Sequence, residues 1–358
     1  MSVYFDCRFI RVDHHDGISR FSSELFKSLS RIESVTALIS DIQQLKELPR
    51  GTDYFLANDP KNPLLEMFLP RRLNNQGASV VFSPMQTMGS LGKKYRLILT
   101  LHDLIYYKHR KPPVFLAWPI RLAWRLFHLS FAPVRLLLNR ADAVVTISET
   151  TKSLIEINRL TRRPVTVVYN ASSMPVVGSS KIGPKTKNLV YMGSFMPYKN
   201  VELLIKGMED LPEFTLTLCS KVDPNRREQL LASAVQDARS RIVFVNGMSE
   251  AKYSEILDDS FALVTASKDE GFGIPVIEAM SRSIPVVLSD IPIFREVASE
   301  AGHFFNPDSP SDFALAVKSL EANGSWQQAS KTSLERAKAF SWDDSAGKLN
   351  LLVQSLRD

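Results

Sequence analysis

Residues 259–295 read DSFALVTASKDEGFGIPVIEAMSRSIPVVLSDIPIFR, and their pattern predicts the fold. The apolar run 261–266 is typical of a buried parallel strand, and 284–288 is a second such run. A glycine-bearing turn at 267–273 separates the first run from Pro275, whose fixed φ suits the start of a helix. The stretch therefore predicts strand, glycine loop, helix and strand, the repeating unit of a parallel α/β sheet.

The glycine loop has the features of an anion-binding site, because backbone N–H groups at a helix N-terminus attract negative charge. The N–H groups expected to point out of this helix belong to Gly271, Phe272, Gly273 and Ile274. Glu270 precedes the loop, and Glu278 is expected in the first helical turn. Anion-binding amides beside two carboxylates suit a nucleotide sugar, which carries both phosphate and hydroxyl groups. For Glu278 alone, the alternative is a glutamate that only complements the helix dipole.

The string EGFGIPVIE, from Glu270 to Glu278, resembles the E-x7-E motif of retaining glycosyltransferases of family 4. The spacing of the glutamates, the glycines and the proline all agree with that motif. The resemblance implies the GT-B fold, an α/β architecture of two Rossmann-like, doubly wound parallel-sheet domains that face a central cleft.

The resemblance also implies the domain organisation. Residues 1–172 would form the N-terminal, acceptor-side domain, with a C-terminal helix at 341–358 packing back onto it. Residues 173–187, rich in Ser, Pro, Gly and Val, would be a linker. Residues 188–340 would form the C-terminal domain that binds the nucleotide-sugar donor.

The length and composition agree with an ordinary globular protein of two or three domains. The chain has 358 residues, of which 44% are hydrophobic and 23% charged. The net charge of +6 suits an anionic partner such as a nucleotide diphosphate, a lipid phosphate or a membrane surface, but is too diffuse to indicate nucleic acid. A basic, soluble surface is the alternative. Cys7 and Cys219 are expected in different domains, so a disulfide is not expected and the cytosol is the default location.

No signal peptide is recognised at the N-terminus, and no apolar run approaches the roughly 18 residues that a membrane span needs. The expected location is therefore cytoplasmic, or peripheral at the inner face of the membrane.

The first half contains a second glycine element. Residues 17–20, Gly-Ile-Ser-Arg, open an amphipathic helix and resemble the GIGR-like element that approaches the donor phosphate in family 4. The resemblance implies that Gly17 and Arg20 bind the donor, although this chain has one glycine where many relatives have two. Alternatively, Gly17 only permits a turn at the start of the helix, and Arg20 faces solvent.

His102 follows the apolar run 97–101, and a residue at the carboxyl end of a parallel strand faces the crevice in which α/β sheets bind ligands. Family 4 often has His-Asp at this place, which implies that His102 contacts the transferred sugar or the acceptor. Alternatively, His102 and Asp103 only cap the following segment.

The acidic and histidine residues Asp13, His14, His15 and Asp16 form a candidate metal cluster, but adjacent residues on one loop rarely satisfy a coordination geometry. The chain also lacks an Asp-x-Asp motif, which speaks against the metal-dependent GT-A architecture. We therefore expect no metal and no cofactor.

Residues 106–140 combine a basic cluster with the string PPVFLAWPIRLAWRLFHLSFAPVRLLLNR. A basic, aromatic, amphipathic stretch can lie in a membrane interface. It can equally form two core helices interrupted by Pro133. A lipid-linked acceptor would favour the membrane interpretation.

In the second half, residues 193–200 read GSFMPYKN and look like the G-x-x-x-P-x-K-N element of family 4. The resemblance places Gly193, Ser194 and Lys199 at the donor, with the lysine neutralising the diphosphate. Many relatives have Arg where Ser194 stands, and this puts a clamp of two cations in doubt. The resemblance also places the nucleotide base beside two strand exits, at Ser220, Val222, Asn246 and Met248.

The implied function is retaining hexosyl transfer in which Glu270, Lys199 and His102 act on the reacting groups and Glu278 accepts hydrogen bonds from the ribose. The strings DCRF, GISR, FSP, LHDL and PYKN together are similar to bacterial mannosyl- and rhamnosyltransferases of O-antigen and capsule synthesis, which points to GDP-mannose as donor and a glycan or lipid-linked oligosaccharide as acceptor. The alternatives are another GDP- or UDP-sugar such as GDP-rhamnose or UDP-glucose, a GT-B epimerase or phosphorylase, or a non-catalytic binding scaffold.

Overall fold

The computed structural model describes residues 2–13, 16–112, 117–177 and 183–357, which form two compact units. Unit 1 comprises Met1–Asn170 together with Ser341–Asp358, and unit 2 comprises Ala171–Phe340. The chain thus leaves unit 1, builds all of unit 2 and returns for its last helix. The histidines of the candidate metal cluster, His14 and His15, lie outside the described residues.

Unit 1 is built on a parallel sheet. Its strands are β1 (Ser2–Asp6), β2 (Val35–Ile39), β3 (Tyr54–Leu56), β4 (Ala78–Ser83), β5 (Arg96–Leu101), β6 (Ala143–Thr146) and β7 (Val165–Val167). They lie side by side in the order β3-β2-β1-β4-β5-β6-β7. Because β1, β4, β5 and β6 are nearly continuous apolar runs, they can be covered by helices on both faces.

The helices of unit 1 are α1 (Gly17–Leu29), α2 (Pro63–Glu66), α3 (Leu69–Asn75), α4 (Ile105–Lys108), α5 (Trp118–Phe127), α6 (Ala132–Asn139), α7 (Glu149–Ile157) and, from the end of the chain, α16 (Trp342–Ser355), with a short 3₁₀ helix at Ile42–Glu47. α16 packs on α1, where the rings of Phe21 and Trp342 meet with centroids 6.2 Å apart. Leu349 and Val353 of α16 are fully buried.

Unit 2 repeats the plan with six strands: β8 (Asn188–Tyr191), β9 (Thr215–Leu218), β10 (Ile242–Phe244), β11 (Ala262–Thr265), β12 (Val286–Ser289) and β13 (Gly302–Phe305). Their order is β10-β9-β8-β11-β12-β13, and all neighbours are parallel. The predicted pair of parallel-sheet domains is therefore confirmed.

The helices of unit 2 are α8 (Val201–Gly207), α9 (Pro224–Ala232), α10 (Gln236–Arg239), α11 (Glu250–Asp259), α12 (Ile274–Ser281), α13 (Pro292–Ala298), α14 (Pro310–Ser319) and α15 (Ser325–Ala337), with 3₁₀ helices at Pro197–Lys199, Met208–Asp210 and Ser299–Ala301. Its core packs large side chains such as Tyr191, Phe214, Phe313 and Trp326 against the sheet. Trp326 also donates a buried hydrogen bond of 2.8 Å from Nε1 to the Phe261 carbonyl oxygen.

The segment 106–140 forms helices of two kinds. α6 is anchored in the core of unit 1 by Val134 and Leu138, and Pro133 lies in its first turn rather than between two core helices. α5 contains no buried residue. The core-helix alternative therefore holds for α6 and is wrong for α5. Among the described residues, no helix combines the length and apolar character needed to cross a bilayer.

Candidate active site

The candidate site of unit 2 lies where β8 and β11 end, because these strands are neighbours and their carboxyl ends meet at one edge of the sheet. The loop after β8 carries Lys199, and the loop after β11 carries Glu270. The Lys199 ammonium forms an ion pair with Oε2 of Glu270, and the side chains are only 13% and 18% exposed. The structure thus brings together the cation and the carboxylate that the sequence assigned to the donor.

The loop after β8 is held by the strand that precedes it. The buried Tyr191 hydroxyl donates a 2.6 Å hydrogen bond to the Ser194 carbonyl oxygen, and burial raises the pKa of Tyr191 well above its usual value. A Cβ at Gly193 would lie 2.8 Å from that hydroxyl oxygen, so the close approach requires glycine. Asn200, in the left-handed region at φ 54°, closes the loop by donating from Nδ2 to the Pro307 carbonyl oxygen at 2.8 Å.

The glycine loop after β11 turns sharply at Gly273, which has φ 92°. A Cβ there would also lie 2.9 Å from the Phe294 ring, so both the backbone and the packing require glycine. α12 begins at Ile274, and no side-chain hydrogen bond caps it. Pro275 is the second residue of the helix rather than the first, because Ile274 already has helical geometry.

Glu278 departs from its predicted place. It is the fifth residue of α12, beyond the first turn, because the helix begins one residue before Pro275. The residue is 2% exposed. Its role at the ribose therefore stays a prediction.

The residues predicted to hold the base are divided between two places. Asn246, in the left-handed region at φ 61°, accepts a 3.1 Å hydrogen bond from the Val222 amide through Oδ1. Both residues line a cavity of about 360 Å³. Ser220 instead accepts a 3.1 Å hydrogen bond from the Gly193 amide, and neither it nor Met248 lines that cavity.

Sequence reasoning missed the part of the site that α9 supplies. The remaining lining of the cavity is Pro224, Arg227, Glu228, Leu231 and Phe244. The Arg227 guanidinium lies 5.3 Å from the centre of the Phe244 ring. The neighbouring Arg226 donates from Nε to the Phe195 carbonyl oxygen at 3.1 Å and pairs with Glu202 at 2.6 Å. Asp223 and Pro224 form an N-cap signal in the sequence that could have placed both arginines in the first turn of α9.

In unit 1, the predicted residues Gly17 and His102 lie on neighbouring elements. Gly17 is the first residue of α1, whose N-cap Asp16 accepts a 2.8 Å hydrogen bond from the Ser19 amide. Arg20 belongs to the same first turn and is partly buried. One turn on, the Phe21 ring meets the His102 ring edge-on, with centroids 5.1 Å apart.

His102 is held as a neutral ring. Its Nε2 lies 2.7 Å from the Pro84 carbonyl oxygen, to which it donates in the Nε2–H tautomer. Burial lowers the pKa of His102 to about 4, although the Pro84 carbonyl and the Asp16 carboxylate act in the opposite direction. Asp103 accepts a 2.9 Å hydrogen bond from the Ile105 amide at the start of α4, although the N-cap position of that helix is Leu104.

A buried charge network supports the same edge of unit 1. The Arg8 guanidinium, which follows β1, pairs with Asp6 at 2.7 Å and with Glu66 at 2.8 Å. Glu66 also accepts a 3.1 Å hydrogen bond from the Gly89 amide, and Ser83 donates to Asp6 at 3.0 Å. The network thereby ties the loops after β1 and β4 to α2.

Across the described parts of the chain, no group of three or more His, Cys, Asp or Glu residues is placed to hold a metal ion.

Comparisons with known proteins identify both halves of the chain. The family described as Glycosyltransferase Family 4 matches residues 34–172, and the family described as Glycosyl transferases group 1 matches residues 177–338.

Curated relatives share modest identity. The chain is 29% identical over 193 residues to the O-antigen chain mannosyltransferase RfbU of Salmonella typhimurium, which covers 52% of the chain and 53% of that protein. It is 35% identical over 106 residues to the serotype-specific mannosyltransferase WbdA of Escherichia coli, 30% of the chain and 13% of that protein. The chain thus spans about half or less of the length of these relatives. It is 25% identical to O-antigen chain mannosyltransferase B of Escherichia coli, covering 92% of the chain and 93% of that protein.

Solved structures share the fold at low identity. Sucrose-phosphate synthase from Thermosynechococcus elongatus superimposes with a TM-score of 0.76 at 18% identity, covering 99% of this chain and 98% of that one. HepE from Anabaena, in complex with UDP and glucose, gives a TM-score of 0.73 at 13% identity, covering 99% of this chain and 100% of that one.

Proposed function

Since the chain belongs to the GT-B glycosyltransferases, with a family 4 domain followed by a group 1 domain, we propose that it moves mannose from GDP-mannose, with retention of configuration, onto a hydroxyl of a glycan or lipid-linked acceptor. The observation that carries the proposal is the ion pair between Lys199 and Glu270 at the edge of the unit 2 sheet. These two groups offer a cation for a diphosphate and a carboxylate for sugar hydroxyls.

In the proposed reaction, the protein contributes mainly electrostatic stabilisation and orientation. The bond between the anomeric carbon and the diphosphate oxygen breaks, and the acceptor oxygen forms the new bond on the same face. The acceptor proton passes to the departing phosphate. Lys199 and the amides that begin α12 stabilise the charge that grows on the leaving diphosphate. Glu270 orients the hexose through its hydroxyls. The predicted contacts of Gly17, Arg20 and His102 in unit 1 remain part of the proposal.

Mannose as the sugar is supported by the relatives, several of which are named mannosyltransferases. Guanine as the base is supported by the cavity beside Val222 and Asn246, which Glu228 also lines. Guanine presents adjacent N1–H and N2–H donors that match a carboxylate, whereas uracil presents a single N–H. The Phe244 and Leu231 side chains offer the apolar surface that a planar base requires.

The test is a donor panel scored by nucleotide release, with GDP-mannose, GDP-rhamnose, UDP-glucose and a synthetic mannose-terminated acceptor. We expect release of GDP from GDP-mannose and an α-linked product by NMR. Lys199→Met should lower kcat by about 100-fold or more, the scale of losing one charge-stabilising donor. The control is Lys268→Met, which removes a neighbouring exposed lysine paired with Asp308 and should leave kcat unchanged.

Release of UDP without any GDP would contradict the proposed donor but leave the glycosyltransferase assignment standing. Glu228→Gln should weaken the binding of GDP-mannose without changing any turnover of UDP-glucose. Equal activity of wild type and Lys199→Met would contradict the role of the ion pair.

We also propose that transfer needs no metal ion, because the Lys199 ammonium and the amides that begin α12 would supply the positive charge that the diphosphate requires. Chelation with EDTA should leave kcat unchanged, measured against the same enzyme supplied with Mg²⁺. A rate that EDTA abolishes and Mg²⁺ restores would contradict this point.

A further inference from the structure

The positive charge of the protein is concentrated in one stretch of unit 1. Residues 104–140 contain no aspartate or glutamate, and their basic residues are Lys108, Arg110, Lys111, Arg121, Arg125, Arg135 and Arg140. The net charge of the whole chain is +6, so the remainder is close to neutral. Arg121 is partly buried, and the other six are exposed.

Helix α5, at the centre of this stretch, presents an apolar face to solvent. At 100° per residue, Trp118, Leu122 and Leu126 fall within an arc of about 80°. Trp118 is 75% exposed, Leu122 50% and Leu126 59%, and Leu129, which follows the helix on the same side, is 60% exposed. Arg121 and Arg125 fall along one border of that arc. An exposed apolar stripe beside a row of cations is the reverse of the usual surface helix.

Trp124, on another side of α5, and two residues that follow the helix fix it to unit 1. Trp124 packs edge-on against Tyr106 with centroids 5.0 Å apart. His128 lies 5.0 Å from Tyr107, and its Nδ1 donates to the Trp124 carbonyl oxygen at 2.8 Å. Phe131, just beyond, stacks 4.6 Å from Tyr107 and joins the core that holds α6. Because Trp124 and the residues that follow α5 pack against Tyr106 and Tyr107, the apolar stripe of α5 is turned outward.

We propose that the face formed by Trp118, Leu122, Leu126 and Leu129 with Arg121 and Arg125 docks the protein on the surface of an anionic lipid bilayer. The leucines and the tryptophan would enter the interfacial region, and the cations would meet lipid phosphates. A helix of ten residues is about 15 Å long, half the hydrocarbon thickness, so it lies flat and does not span. A nucleic acid would leave the aliphatic stripe without a partner, and a second copy of this basic face would meet like charge.

The test is partition of the intact protein between buffer and vesicles, measured by co-sedimentation. Wild type should bind vesicles of phosphatidylcholine with phosphatidylglycerol and bind phosphatidylcholine alone much more weakly. The Trp118 fluorescence should shift to the blue on binding, and Trp118→Phe should remove that part of the shift. Salt at about 1 M should release the protein, since it screens the attraction.

Two sets of variants separate the apolar and the charged contributions. The triple substitution Leu122→Ser, Leu126→Ser and Leu129→Ser should weaken partition by more than about tenfold. Arg121→Gln with Arg125→Gln should weaken it by roughly 25-fold on anionic vesicles, at about fivefold per cation near the surface. The controls use exposed residues elsewhere: Leu315→Ser with Leu351→Ser for the leucines, and Lys318→Gln with Lys331→Gln for the cations.

All the substituted residues of this face are at least partly exposed, so circular dichroism and the melting temperature should not change. Lost binding then reports on the surface. The proposal is overturned if wild type binds no vesicles, if the α5 variants bind like the controls, or if neutral vesicles bind as tightly as anionic ones. A concentration-dependent dimer that the leucine variant abolishes, without vesicle binding, would assign the face to a second copy instead. None of these outcomes depends on the sugar transferred.

Discussion

At the scale of single residues, the ion pair of Lys199 and Glu270 has opposite consequences for nucleotide binding and for transfer. Without ligand, Glu270 neutralises the lysine and competes with a diphosphate for it. Glu270→Gln should therefore strengthen binding of GDP alone, by a few-fold up to about tenfold, while lowering kcat by about 100-fold. Calorimetry with GDP measures the first effect and the transfer assay the second. Weaker binding of GDP by Glu270→Gln would contradict the competition.

His102 should stay neutral through the working range of pH. Its folded pKa of about 4 lies below the ordinary 6.5, so the unfolded chain binds more protons between those values. The contribution of this ring to stability is thus fully present above pH 6.5 and is lost as pH falls towards 4, about 2 kcal/mol by pH 5. NMR titration of the ring, assigned with His102→Gln, should show no protonation above pH 5. A titration near 6.5 would contradict the burial of the ring.

Arg8 should be among the residues most sensitive to mutation in unit 1. Burial alone would lower the pKa of Arg8, but Asp6 and Glu66 raise it overall. The charged form of the guanidinium is therefore stabilised in the core by these two carboxylates. Arg8→Met would leave two buried carboxylates without a cation, at a cost of about 3–5 kcal/mol. We expect the melting temperature of unit 1 to fall by about 10 °C. Arg50→Met, at an exposed site, is the control and should leave the melting temperature unchanged.

Some residues of the candidate site could be predicted from the sequence, and others could not. Lys199 and Glu270 could be chosen from their local motifs, but their pairing spans 71 positions and depends on side-chain geometry that no motif encodes. Arg227 and Glu228 were missed because they stand in an ordinary surface helix, and only the fold places them beside Asn246.

At the scale of elements, the turn at Gly273 is the most demanding piece of backbone in the candidate site. Gly273→Ala should combine the cost of a left-handed alanine with a clash against Phe294. Gly324→Ala is a matched control, because Gly324 also has positive φ, 79°, but its added methyl meets open space. We expect Gly324→Ala to lose about 1 kcal/mol of stability, from its positive φ alone. Gly273→Ala should lose more than that, because of the added clash, and should also lose donor binding. Differential scanning fluorimetry with and without GDP measures both effects; equal losses would contradict the role of the clash.

Element boundaries could be predicted best where a run of apolar residues ends at a glycine or a cap. The strand 261–266, the glycine loop and the helix that follows were predicted within one or two residues, since each signal is local. The fate of α5 could not be predicted, because the same amphipathic period describes a helix that buries its apolar face and one that exposes it.

At the scale of the whole molecule, unit 1 depends on a helix that follows unit 2 in the chain. Leu349 and Leu351 lie two positions apart on α16, the first fully buried and the second 68% exposed. Leu349→Ala should cost about 2–5 kcal/mol and lower the melting temperature of unit 1 by roughly 10 °C, whereas Leu351→Ala should have little effect. Hydrogen exchange resolved by peptide should show the loss of protection in α1 and spare unit 2. Equal effects of the two variants would contradict the packing of α16.

Because α16 completes unit 1 only after unit 2 has been made, the order of synthesis is not the order of completion. While the ribosome translates residues 171–340, the surface of α1 around Phe21 lacks its cover. The first-made half of the protein therefore remains an incompletely packed, aggregation-prone intermediate that a chaperone can bind while the second half is translated, and the second half can finish folding ahead of it.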